Sequence, residues 1–322
     1  MIVTVTLNAA LDVAYEAEGL SWHTTRDVTR VRHRAGGRGV AVARVLHTFG
    51  HEVLAAGLTG GAAGELIRED LGRSGIPVAF TDIGRESRRV LEVTDPVQQR
   101  TMRLREPGPY VTTEELGRFA GDYRRLLADA TAVVLCGTLP AGLPPEIYGS
   151  LATWAAEAGV PVILNAGGSP LRHAAARRPD LVVPDAGDDV MAGEPAGAGA
   201  AARADGTDGD APASAGALLR LGASAVATPS GRQVRVITKA GRWNASLDRP
   251  KADPAGGASR GPAPGSLGAL VGGLVPGLLL GWSWPDLLQH AVAVAAAADP
   301  SGDVNLAEYE RLVDAVAVRP AG

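Results

Sequence analysis

Apolar positions along this chain follow two periods, and the two take turns. Short apolar runs at Ile2-Leu7, Val53-Leu58, Ala132-Cys136, Val160-Asn165, Leu181-Val183 and Ala223-Thr228 have the composition of strands. Between them, apolar residues recurring three and four apart predict helices near Gly39-Thr48, Gly64-Gly72, Thr113-Leu127, Glu146-Glu157 and Pro285-Ala297. Strands with almost no polar alternation, separated by helices, imply a mostly parallel sheet covered on both faces. The fold class is therefore α/β, doubly wound. Two stretches depart from this rhythm: residues 14–34 and 87–104 alternate Arg and Val with few helix signals, and they predict a small β-layer over the ligand edge of the sheet.

Two further segments carry no packing signal. Residues 192–215 and 253–265 are rich in Ala, Gly, Pro and Asp, with too little bulky apolar surface to order themselves, and are expected to be mobile loops. The apolar run Leu267-Leu280 is too short to cross a bilayer and is interrupted by Gly272, Gly273, Pro276 and Gly277, so it reads as a core helix. The start, MIVTVTLNAALDV, alternates like a strand and lacks the basic region of an export signal, which points to the cytoplasm.

Composition narrows the partners. At 322 residues and 46% hydrophobic the chain can bury one large core or two modest ones, and a net charge of -4 with Lys239 and Lys251 as its only lysines argues against nucleic acid. The single cysteine, Cys136, excludes an intrachain disulfide and sits in the apolar run AVVLCG, as a small buried hydrophobe would. Of the six histidines only His47 and His51 have a helical metal-ligand spacing, and Gly50 ends the helix between them. The cluster Arg26, Arg30, Arg32, Arg34 and Arg38 fits either a solvated face of the β-layer or a site for an anion.

The motif that carries chemistry is AGGRGVAVARVL (Ala35-Leu46). Its three glycines precede a helical pattern, so backbone can approach a ligand closely while free amides point from the helix start. Alone it also fits a tight strand-to-helix turn. It is not alone: TLNAALDVAYE (Thr6-Glu16), TGGAAGE (Thr59-Glu65), REPGP (Arg105-Pro109), CGTLPAGLPPEIY (Cys136-Tyr148) and RRPDLVVPDAGD (Arg177-Asp188) follow in order.

This succession resembles the ribokinase-like sugar kinases, and within them the phosphofructokinase B branch, especially 1-phosphofructokinase and tagatose-6-phosphate kinase. The resemblance covers nearly the whole chain and implies one domain over residues 1–322, a three-layer α/β/α sandwich with a small β-lid. It implies a sugar phosphate under the lid, Mg and ATP near the C-terminal turn, and homodimerisation through the lid. By the same resemblance Asp12 holds sugar hydroxyls, Gly36, Gly37, Arg38 and Gly39 face the sugar, Arg88 clamps the substrate phosphate and Thr138 adds a hydroxyl.

The departures fall mainly in the second half. Where the family reads Gly-Gly-Lys-Gly-x-Asn this chain has Arg38 and Ala41, so one side-chain amide is lost. The Pro-Asn-x-x-Glu motif for metal and phosphate appears as Pro184-Asp185-Ala186-Gly187-Asp188, leaving Asp185 and Asp188 as nucleotide candidates and Asp188 as the metal candidate. The nucleotide turn has become Thr228-Pro229-Ser230-Gly231-Arg232-Gln233, with Thr228 and Ser230 as the remaining hydroxyls and no amide donor at Pro229.

From Pro254 to Pro285 there is no Asp or Glu at all. The family's Gly-Ala-Gly-Asp supplies the base here. Aligning back from the following helix sets Gly265-Ser266-Leu267-Gly268 on it, with Gly268 in the position of the base; other registers put Ser266 or Ser259 there, and none supplies a carboxylate. General acid–base help is worth roughly 10²–10⁴-fold in rate. The expectation is a sugar-kinase homologue that has lost efficient phosphotransfer while keeping a sugar-phosphate site; the alternative is an active kinase with a displaced base such as Asp253.

Overall fold

The computed structural model describes residues 1–185, 215–230, 233–247, 264–298 and 302–321. These divide into two compact units, Met1–Pro144 with Glu157–Val160, and Pro145–Ala156 with Pro161–Gly322. In chain order the first unit contains β1 (Ile2–Thr6), β2 (Ala10–Glu16), β3 (Arg30–Gly36), α1 (Arg38–Thr48), β4 (Val53–Thr59), α2 (Gly61–Arg73), β5 (Val78–Asp82), β6 (Arg88–Asp95), β7 (Arg100–Arg105), α3 (Thr113–Leu126) and β8 (Ala132–Cys136).

Parallel strands order the first sheet as β8-β1-β4-β5. All residues of β1, β4 and β8 are buried, which is why these strands show as unbroken apolar runs. Gly57, at φ 143°, lies against β1 so closely that a Cβ there would collide with the Thr6 carbonyl. At the start of α3 the Thr112 hydroxyl accepts the Glu115 N–H at 3.3 Å, and Glu115 Oε2 accepts the Thr112 N–H at 2.7 Å, a capping box readable from Thr-x-x-Glu. Oε1 of Glu115 also accepts the Gly84 N–H at 2.6 Å, tying the helix start to the loop after β5.

The predicted β-layer is a separate sheet in the order β3-β2-β6-β7. Its pairing sets Asp12 opposite Arg34 and Val90, and Glu92 opposite Ala14 and Arg103. Because side chains alternate across a strand, Arg30, Arg32, Arg34, Asp12, Glu16, Arg88, Glu92, Arg103 and Arg105 share one face while Val13, Leu91 and Leu104 share the other. The Arg–Val alternation in the sequence is this two-faced sheet.

The second unit contains α4 (Ile147–Glu157, but for its last residue), β9 (Val162–Asn165), α5 (Gly168–Ala175), β10 (Leu181–Val182), α6 (Ala215–Leu221), β11 (Ala225–Ser230), β12 (Gln233–Thr238), β13 (Arg242–Leu247), α7 (Pro264–Leu279), α8 (Trp284–Ala297), α9 (Leu306–Val313) and β14 (Val316–Pro320). β9, β10 and β11 pair in parallel, then β11 through β14 in antiparallel. The short α5, α6 and α9 and the strands β12, β13 and β14 have no long apolar run to mark them in the sequence.

The apolar run after the acid-free turn is the core helix expected, and it starts earlier than the sequence suggested: Pro264 and Gly265 already belong to α7. A Cβ at Gly273 would approach Ala291 Cα to 2.8 Å, so this glycine lets α7 and α8 cross at short range. Trp284 stacks on Trp243 at 5.9 Å and Trp282 meets His290 edge-on at 5.6 Å, so both tryptophans pack within the unit. No helix among the described residues is long and apolar enough to cross a membrane. Residues 192–214 and 253–263 of the low-complexity segments lie outside the described residues.

Candidate functional site

β1 ends at Thr6 and the link Leu7-Asn8-Ala9 leads into β2, so residues on this link sit where the parallel sheet meets the lid sheet of the first unit. Thr6, 3% exposed, shapes the glycine turn that follows β3. A Cβ at Gly39 would collide with Thr6 Oγ1 and lie 2.9 Å from the Val5 carbonyl oxygen, and one at Gly37 would come to 2.8 Å from Thr6 Cγ2. Gly37 has φ 118° and is the N-cap of α1. At Gly36 a Cβ would overlap the carboxylate of Asp12. The three glycines thus each have a steric cause: one admits Asp12, two admit β1.

Asp12 is half-buried, and loss of hydration pushes its carboxyl up from 3.8 to about 6. Arg103, Arg88 and Arg34 pull it back, and Glu92 adds to the upward push. Arg103 also donates from Nε to Glu92 Oε2 at 3.1 Å. The group combines an acceptor poised near neutrality with guanidinium groups that suit a phosphate. Behind it, Asp70 Oδ2 accepts the Ala35 N–H at 2.8 Å and pairs with Arg44, 6% exposed, whose Nη1 reaches Ser74 Oγ at 3.2 Å. This buried pair anchors the end of β3 immediately before Gly36.

Arg88 Nε donates to the Asn8 carbonyl oxygen at 3.3 Å, and the Asn8 side chain donates from Nδ2 to Thr138 Oγ1 at 3.1 Å. Thr138 is exposed and Arg88 half-buried. The structure therefore brings Asp12, Gly36, Gly37, Gly39, Arg88 and Thr138 into one neighbourhood of the first unit. Arg38 opens α1 there, half-buried, and is the cation felt by Cys136, whose thiol burial still pushes up to about 12. At that value Cys136 is no nucleophile.

Sequence reasoning did not single out Asn8, Gly108, Glu92, Arg103 or Asp70. Asn8 had a usable signal, a lone amide between the apolar Leu7 and Ala9 at the exit of a buried strand. Gly108 lay within the REPGP motif, and the other three had none, because each gains its meaning from cross-strand or helix–strand contact.

The second unit is different. Gly265 and Ser266 lie in the first turn of α7, which carries no acidic residue, and Gly268 is buried one turn in. The expected Thr228–Gln233 turn coincides with a hairpin: Thr228, Pro229 and Ser230 end β11 and Gln233 opens β12, with Thr228 opposite Arg235 and Ser230 opposite Gln233. Pro229 is tolerated there and gives the hairpin no N–H to donate. Asp185 is half-buried, and its N–H bonds the Ala166 carbonyl at 2.8 Å. Asp188, Asp253 and Ser259 lie outside the described residues. Among the described residues no group of three or more His, Cys, Asp and Glu side chains is placed to hold a metal ion.

Residues 5–207 match the pfkB family of carbohydrate kinases. The fold is shared over whole chains with a possible 1-phosphofructokinase from Thermotoga maritima, at TM-score 0.80 and 22% identity, covering 100% of each chain. Phosphofructokinase-2 from Escherichia coli, in its tetrameric inhibited form, matches at TM-score 0.77 and 20% identity, covering 97% of this chain and 98% of that one. With its central sheet, flanking helices and lid, this chain belongs to the pfkB family and has the ribokinase-like carbohydrate-kinase fold.

Proposed function

We propose that this protein binds a sugar phosphate and has lost, or nearly lost, ATP-dependent phosphotransfer. The observation that carries the reading is an asymmetry: Asp12, Arg88 and Thr138 converge around the glycine turn, while α7 has no acid in its first turn and a buried glycine at position 268. Positioning and electrostatics supply much of phosphoryl transfer, so a missing base alone leaves a residual rate. Here the metal motif and the nucleotide hairpin are altered as well. The test is turnover with Mg and ATP on fructose 1-phosphate, tagatose 6-phosphate and fructose 6-phosphate. An ordinary kinase rate, on the order of 1–100 s⁻¹, would overturn the reading.

A second reading is an active sugar-phosphate kinase with a displaced base, favoured by the whole-chain likeness to phosphofructokinase folds. If turnover is found, Asp253→Asn abolishes it on this reading; indifference rejects Asp253 as the base. The lid also favours a homodimer, since Val31, Met102 and Leu104 are 49%, 49% and 50% exposed. Sedimentation that shows only monomer at micromolar protein would end that part of the proposal. A cytoplasmic site of action follows from the same family reading, and a secreted, glycosylated product would contradict it.

A further inference from the structure

Asn8 is 8% exposed, and its Oδ1 is among the few buried side-chain polar atoms without a hydrogen-bond partner among the described residues. A buried carboxamide with an unmet acceptor carries a cost that an apolar residue of similar shape would avoid, so its presence calls for a cause. The donor half of the same carboxamide supplies one. Nδ2 donates to the exposed Thr138 hydroxyl at 3.1 Å, the main-chain carbonyl accepts Arg88 Nε at 3.3 Å, and a Cβ on Gly108 would come within 2.7 Å of Oδ1 and 2.9 Å of Nδ2. The loop after β1 thereby meets the start of β6, the segment after β7 and the segment after β8 at one residue.

We infer that Asn8 is a positioning residue for the anionic part of the ligand, its side chain acting through Thr138; this rests on the sugar-phosphate reading above. The direction of the hydrogen bond gives it chemical content. A threonine hydroxyl has one proton, and Thr138 accepts from Asn8 rather than donating to it. Its proton is therefore directed away from Asn8, on the exposed side, where it serves an acceptor. A phosphate oxygen is such an acceptor; a sugar hydroxyl can serve too but gains less. Gly108 completes the device by holding the amide in place, since no other residue leaves room for it.

Calorimetric titration of the full chain tests this with fructose 1-phosphate, tagatose 6-phosphate and fructose 6-phosphate, each beside its unphosphorylated sugar. Asn8→Ala is expected to weaken the sugar phosphate that binds best by about 10-fold to 100-fold, as for loss of a hydrogen bond to a charged group, with the unphosphorylated sugar much less affected. Asn8→Asp should weaken it at least as much, because a carboxylate turns the Thr138 proton inward, while Thr138→Ser should retain binding. Gly108→Ala should also weaken binding, yet the double variant with Asn8→Ala should be no weaker than Asn8→Ala alone. An Asn8→Ala protein that binds within about twofold of the wild type, or loses sugar and sugar phosphate alike, overturns the inference. So does strict additivity with Gly108→Ala. If the wild type binds none of the three sugar phosphates, the parent reading falls and this inference with it.

Discussion

The glycine turn before α1 and the start of α7 are built from the same materials, a glycine-rich segment opening an apolar helix, and they have opposite surroundings. Around the first, charged and polar side chains converge: Asp12 against Gly36, Arg88 on the Asn8 carbonyl, Thr138 on the Asn8 amide, with the Arg44–Asp70 pair anchoring β3 behind them. At the second, the helix has no acid in its first turn, and the residues from Gly268 to Gly277 are packed into apolar core. A glycine turn is thus a scaffold, and its chemistry comes from what neighbouring segments bring to it. On the proposed reading binding and catalysis draw on different segments, so that one could be lost while the other is kept.

The sharpest way to break this contrast is to give α7 the group it lacks. Gly268→Asp restores the base alone; with the metal motif and the nucleotide hairpin altered as well, it is expected to raise phosphorylation of the preferred sugar phosphate over the wild-type background by at most roughly 10²–10⁴-fold, the usual worth of a general base. A coupled ADP-release assay reads it. No gain would mean that the nucleotide half has lost more than its base, and a gain with Ser266→Asp instead would move the register by two residues.

Stability should separate the regions next. Asp70→Ala leaves the Arg44 guanidinium buried without its partner, and the expected loss is about 3–5 kcal/mol in urea unfolding. Because Asp70 also accepts the Ala35 N–H at 2.8 Å, sugar-phosphate affinity should fall with it, whereas an overpacked α7–α8 crossing, Gly273→Val, should cost stability and leave that affinity unchanged. Equal effects of both on binding would dissolve the contrast.

Gly36→Ala is a smaller lesion, aimed at the site. The added methyl overlaps the Asp12 carboxylate, and relief by shifting the side chain should cost about 1–3 kcal/mol, seen as weaker sugar-phosphate binding in calorimetry. Unchanged affinity would remove Asp12 from the ligand site.

The smallest expected effect is a pH slope. The Asp12 carboxyl is raised by burial to about 6 in the folded protein from 3.8 in the open chain, so the folded state holds its proton more tightly. Its contribution to stability is complete below 3.8 and is lost as pH rises through about 6. Urea unfolding of the wild type and of Asp12→Asn should differ in slope across that window and run parallel above it. Parallel curves throughout would show that Arg103, Arg88 and Arg34 cancel the burial.

Much of this was legible in the sequence because it rests on local periodicity. The apolar runs at 2–7, 53–58 and 132–136 became fully buried parallel strands, and the Arg–Val alternation at 14–34 and 87–104 became a two-faced sheet, although its strands begin at Ala10 and Arg88 and end at Gly36 and Arg105. Within the Thr228–Gln233 segment the reversal was legible, whereas the continuation of β11 through Pro229 to Ser230 was not, because it is set by pairing with β12. Asp70 was invisible for a related reason: its partners Ala35 and Arg44 lie 35 and 26 residues away.

The sequence by itself determined the α/β order of elements, the glycine turn and the absence of any acid from Pro254 to Pro285, since each depends only on residue type and spacing. Tertiary structure alone decided that Gly36 exists to admit Asp12, that desolvation beside three arginines sets its carboxyl near neutrality, and that Asn8 joins Thr138 to Arg88. Those facts arise from close approach between segments remote in the chain, and steric fit, desolvation and hydrogen-bond direction have no expression in sequence spacing.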